Sequence, residues 1–170
     1  MIRAVHGVLI GVLLLGSVRA GGRGGDDDQN PRRGVPAPVT LTNDRPAGYF
    51  PLDAETLASA PPFLVLRITR VVNPGRTPLQ IFVYLSYPPP AGRTEPERTL
   101  IGNFGLFPAD RPARFLLRAS PAFHKLKTTC SKPTDVRLLL EMKRIHPKEP
   151  WTSIEVVVAP PEWLDNIVLR

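Results

Sequence analysis

One cysteine and three histidines are all that this chain of 170 residues offers to thiol chemistry or imidazole ligation. A single thiol, Cys130, excludes an intradomain disulfide even in an oxidising compartment. It lies in the polar, turn-like stretch Lys127-Thr128-Thr129-Cys130-Ser131-Lys132-Pro133. A nucleophilic cysteine needs a base held by a third group, and none is placed nearby, so Cys130 reads as a passive loop residue. His124 and His146 stand apart in different loops. A structural zinc site needs four ligands and a catalytic one three, so both read as surface histidines and no metal site is expected. The chain also lacks a Gly-x-Ser-x-Gly elbow and a phosphate-cradling glycine loop. Glu95 and Glu97 flank Pro96, and Glu162 and Asp165 bracket Trp163, all as solvated carboxylates. These absences argue against an enzyme and predict no cofactor.

Long apolar runs are missing too. The longest stretch, Val8-Leu9-Ile10-Gly11-Val12-Leu13-Leu14-Leu15, is far shorter than the ~20 residues that cross a bilayer. With Arg3 before it and Val18-Arg19-Ala20 after it, the run predicts a signal peptide over 1–20, cleaved after Ala20. Gly21 stands where a lipoprotein would carry cysteine. The expectation is therefore a secreted or periplasmic protein with no membrane span.

Proline, in contrast, is plentiful at 21 residues, clustered between apolar runs, which suits short strands joined by rigid turns. The composition is 42% hydrophobic and 22% charged, a globular profile. The net charge is +7, or +5 once Arg3 and Arg19 leave with the signal. The basic residues are scattered one or two per segment. That marks solvent faces rather than a nucleic-acid footprint.

Residues 21–38, Gly-Gly-Arg-Gly-Gly and then Asp26-Asp27-Asp28 before a Pro- and Arg-containing run, have almost nothing to bury. They read as a disordered linker. The three adjacent aspartates lack the spacing and glycine turn of a calcium loop. From Val39 onward the pattern becomes that of strands. Phe63–Val72 alternates, with Leu64, Leu66 and Ile68 on one face, and Asn73-Pro74-Gly75 turns the chain. Leu79–Leu85 follows, with Leu79, Ile81, Val83 and Leu85 inward. Thr99–Phe107 is a third strand, whose glycines predict a bulge or a close backbone approach. Arg114–Arg118, Asp135–Met142 and Trp151–Val158 complete six strands, and Trp163–Leu169 adds an edge. Ser120–Lys127 is expected to make a helical turn, capped by Ser120 with Pro121 first inside it. The aromatics, from Tyr49 to Trp163, mostly fall within strand runs and read as core, with sugar stacking as the competing use of an exposed row. Short strands punctuated by turns describe one antiparallel β-sandwich or jelly roll over 39–170.

Three stretches together resemble a known family: Leu79-Gln80-Ile81-Phe82-Val83-Tyr84-Leu85, then Leu100-Ile101-Gly102-Asn103-Phe104-Gly105-Leu106-Phe107, then Val136–Glu141 followed by Ile154-Glu155-Val156. They look like the β-rich domain that lies C-terminal to the copper domain in tyrosinases and polyphenol oxidases. The resemblance covers roughly 63–158. In that family the copper belongs to a separate helical domain with six histidines, and this chain departs from it by having only His124 and His146 after the signal. No copper ligand carries over. The resemblance implies a non-enzymatic accessory or capping module that meets an exported copper oxidase through protein contact. Partner contact is expected at Ile101, Gly102, Asn103, Phe104 and Phe107. A carbohydrate- or surface-binding module is the alternative. A small copper-handling protein using His124, Cys130, His146 and Asp26–Asp28 is a third class.

Overall fold

A computed structural model describes residues 36–89, 92–130, 135–146 and 153–166. The expected signal peptide and nearly all of the linker, Asp26–Asp28 included, lie outside the described residues. Alternating burial organises the rest. In β4 (Leu79–Tyr87) every odd-numbered residue is buried and every even-numbered one half-exposed. Leu79, Ile81, Val83 and Leu85 are wholly buried, as their period of two requires. β3 (Phe63–Val72), β5 (Glu97–Leu106), β6 (Ala113–Arg118) and β7 (Arg137–Arg144) are the other long strands. Shorter ones are β1 (Val39–Thr42), β2 (Ala47–Pro51), β8 (Glu155–Val158) and β9 (Glu162–Leu164).

The strands form two antiparallel sheets. One has five strands, in the order β1-β8-β3-β6, with β9 also paired to β3. The other has four, in the order β2-β7-β4-β5. The chain changes sheet at nearly every connection, so the inner faces of both sheets contribute to one core. Leu64, Leu66, Ile68, Val156 and Val158 from the first sheet meet Ile81, Val83, Leu138 and Leu140 from the second. The fold is an all-β sandwich.

Three features differ from the sequence reading. The helical turn is a ten-residue helix, α2 (Ser120–Thr129), and its N-cap is Ala119 rather than Ser120. Ser120 already sits inside the helix, and the Ala119 N–H donates to the Pro62 carbonyl at 2.7 Å. Tertiary contact thus replaces a side-chain cap. Ala122, Phe123 and Leu126 are buried, and Phe123 meets Trp163 edge-on at 5.5 Å. This helix closes one end of the sandwich, the end where β3 begins. A second helix, α1 (Ala54–Ser59), was not expected. Asp53 caps it by accepting the Thr56 N–H at 2.8 Å, and Ala60 ends it in the left-handed region at φ 49°. The C-terminal edge strand is only β9, against β3 at Phe63–Val65; residues 151–152 and 167–169 of the expected last strands lie outside the described residues.

The predicted turn after β3 is held by a buried amide. Asn73 donates from Nδ2 to the carbonyls of Thr77 and Ala109, each at 2.9 Å, and its Oδ1 accepts the Thr77 N–H at 3.1 Å. One side chain therefore ties the β3–β4 turn to the β5–β6 connection at the open end of the sandwich.

Candidate binding surface

The outward side chains of the four-stranded sheet fall into lateral rows set by strand register. Tyr49 pairs with Leu139, Leu139 with Tyr84, and Tyr84 with Leu100, giving one apolar row across all four strands. The next row runs Ala47, Glu141, Phe82 and Asn103. On the other side of the apolar row lie Pro51, Arg137, Ser86 and Arg98. Phe82 and Tyr84 lie nearly parallel, with ring centroids 6.3 Å apart and 13° between planes. Tyr49 is 54% and Leu100 48% exposed. Phe107, 98% exposed, and Ile145 follow the ends of β5 and β7 at the upper margin, on either side of Pro78. Of the five large apolar residues exposed among the described residues, only Leu116 lies elsewhere.

Charge overlies the rings. The Arg137 guanidinium sits 4.7 Å from the Tyr49 centroid, and the Lys143 ammonium 5.0 Å from that of Phe82. Lys143 also pairs with Glu141 at 3.2 Å. Gln80 donates to Asn103 Oδ1 at 3.0 Å, fixing the polar part of the face. Beside Phe107 a hollow of about 320 Å³ is lined by Arg76, Pro78, Phe107, Pro108, Asp110 and Arg111. Its Arg76 and Asp110 are already paired with each other at 3.0 Å.

The five residues expected to contact a partner divide between surface and core. Asn103 and Phe107 are exposed. Ile101 is the extra residue of a β-bulge, where the β4–β5 register shifts between Val83 and Tyr84. It packs against the core instead of projecting. Gly102 faces inward, and a Cβ there would lie 3.3 Å from Leu117 Cδ2 of the opposite sheet. The glycine thus serves close packing between sheets, one of the two roles its position predicted. Phe104 is only 8% exposed and stacks on Phe115 with centroids 3.8 Å apart, so its ring is not available to insert into a partner.

Sequence reasoning missed Tyr49, Tyr84, Leu100, Leu139 and Arg137. It grouped Tyr49, Phe82 and Tyr84 with the core aromatics, whereas all three lie on the outer face. The signal was in β4: once the odd positions are assigned inward, Phe82 and Tyr84 must point out.

His124 on α2 and His146 beyond β7 lie at opposite ends of the sandwich, both exposed, and Cys130 caps α2 half-buried. Among the described residues no three His, Cys, Asp or Glu side chains come together. No helix among them is long and apolar enough to cross a membrane. The chain matches no family model, no curated protein and no solved structure.

Proposed function

We propose that this chain is an exported, non-enzymatic accessory module that docks a partner protein through the outer face of its four-stranded sheet. One observation carries the reading: Tyr49, Leu139, Tyr84 and Leu100 form a continuous apolar row on a solvent-facing sheet, with Phe107 and Ile145 at its margin. Contiguous exposed apolar surface on a soluble domain marks an interaction site. Tyrosine and arginine are the side chains that dominate protein interfaces, and Tyr49 and Arg137 are stacked together here. The partner complements this face with apolar side chains at its centre and acidic ones at its rim. An exported copper oxidase, the partner the tyrosinase resemblance implies, is the first candidate.

The glycan-binding alternative draws on the near-coplanar Phe82 and Tyr84 rings. Against it, Lys143 overlies Phe82, and Leu100, Leu139 and Ile145 add aliphatic surface that does not stack on sugars. Copper handling draws no support from residues placed at opposite ends of the fold.

The test is isothermal titration of the full chain against an exported copper oxidase that lacks a β domain. Tyr49→Asp with Leu100→Asp should weaken binding at least about tenfold, as loss of interface anchors does. Leu116→Asp, on the other sheet, should leave it unchanged. Binding of the same protein on a glycan array, with no protein partner, would transfer the face to the second reading.

A further inference from the structure

The lowest row of the binding face holds two arginines with no carboxylate of their own. Arg137 and Arg98 both pair in register with Ser86, one from each neighbouring strand. With strands about 4.8 Å apart, their backbones are roughly 10 Å apart. Two of the acids beside them are engaged, Glu97 with Arg93 at 3.2 Å and Glu141 with Lys143 at 3.2 Å, while Asp135 lines the same hollow as Ser86 and Arg137 without reaching ion-pair distance of either arginine. Among the described residues neither Arg98 nor Arg137 has an ion pair. The apolar row lies one alternation away, about 7 Å along the strands. Three of the four arginines on the strands of the other sheet are paired by contrast, Arg67 and Arg114 sharing Glu162 and Arg70 reaching Glu155, with Arg118 at the end of β6 the exception.

Resting on the face-docking reading above, we infer that the partner contributes an acidic segment, whose carboxylates seat on Arg98 and Arg137 while its apolar side chains cover Tyr49, Leu139, Tyr84 and Leu100. A guanidinium takes a carboxylate bidentately and gains from partial desolvation beside a ring. A second copy of this chain fits less well, because it would bring the same two arginines against a row whose one neighbouring unpaired acid among the described residues is Asp135. Insertion of a strand along the edge of β5 is also disfavoured, since the bulge at Ile101 breaks the regular ladder there. The segment lies across the strands, on their side chains.

The probes are a soluble peptide alternating Glu and Leu, its Gln-for-Glu counterpart, and a heparin fragment, each titrated into the full chain with amide chemical shifts followed by NMR. The acidic peptide should shift amides at Tyr49, Tyr84, Ser86, Leu100 and Leu139. The Gln peptide should bind at least about tenfold more weakly, as should the acidic peptide to Arg98→Gln/Arg137→Gln, whose unperturbed spectrum elsewhere shows an intact fold. Equal binding of both peptides to the face would overturn the acidic-segment inference and leave face docking standing. Displacement of the acidic peptide by heparin at lower concentration would overturn it in favour of an anionic glycan. If neither peptide shifts those amides, this inference and the reading beneath it both fall.

Discussion

The two sheets share one core but present opposite outer faces. On the five-stranded sheet most of the strand arginines are neutralised within the face: Arg67 and Arg114 converge on Glu162, and Arg70 reaches Glu155 at 3.6 Å, leaving Arg118 at the end of β6. Threonines 40, 42 and 69 lie among these ion pairs and Leu116 is its one exposed large apolar residue. The four-stranded sheet shows rings, leucines and two arginines without acid partners. Both faces obey the same alternation, so the backbone does not explain the contrast. A sheet that faces only water fills its outward positions with polar and paired groups. One that leaves Tyr49, Tyr84, Phe82 and Leu100 outward is the surface on which the proposed docking rests.

Several substitutions can sharpen or break this contrast. The largest effect should come from the inner side of the face itself. Phe104→Ala removes the ring stacked on Phe115 and should cost about 3–5 kcal/mol, read by denaturant unfolding. An effect below about 1 kcal/mol would mean that Phe104 is not core. Asn73→Ala strands the Thr77 N–H and two carbonyls in a buried turn, and should cost about 1–3 kcal/mol. On the five-stranded sheet, Glu162→Gln leaves Arg67 and Arg114 directly opposite each other as like charges. Both are well exposed, so the loss should stay below about 1 kcal/mol and shrink further in high salt. The smallest stability effect belongs to the four-stranded face: Leu100→Ser should change folding by no more than about 0.5 kcal/mol. A large loss there would make Leu100 a structural residue and remove it from the binding row.

The sandwich was legible because its long strands alternate cleanly. Leu79 to Leu85 announces a buried face by itself, and Asn73-Pro74-Gly75 announces its turn. The short strands β1 and β2, which lie in different sheets, and α1 were not legible. Val39–Thr42 is only four residues, and α1 is a six-residue helix with no buried side chain, so neither leaves a periodic signal. The N-cap of α2 was misplaced by one residue because its start is fixed by the carbonyl of Pro62, distant in sequence. The binding face was half legible. Gly102 and Gly105 drew attention to β5, yet the bulge at Ile101 flips the alternation, so Thr99 is buried before it and Phe104 and Leu106 after it. A register read straight through that strand puts Phe104 outside. The apolar row itself draws one residue from each of four strands, and only strand order brings Tyr49, Leu139, Tyr84 and Leu100 together.

The claim that the four-stranded sheet is the recognition face can be tested without knowing the partner. Hydroxyl-radical footprinting would compare the purified chain with the chain in an extract of the cells that produce it, residue by residue. The account predicts that Tyr49, Leu100, Phe107 and Ile145 are oxidised readily in the purified chain and protected in the extract, while Leu116, as exposed as Leu100 at 48%, reacts equally in both. Protection of Leu116 with the other four left reactive would contradict it.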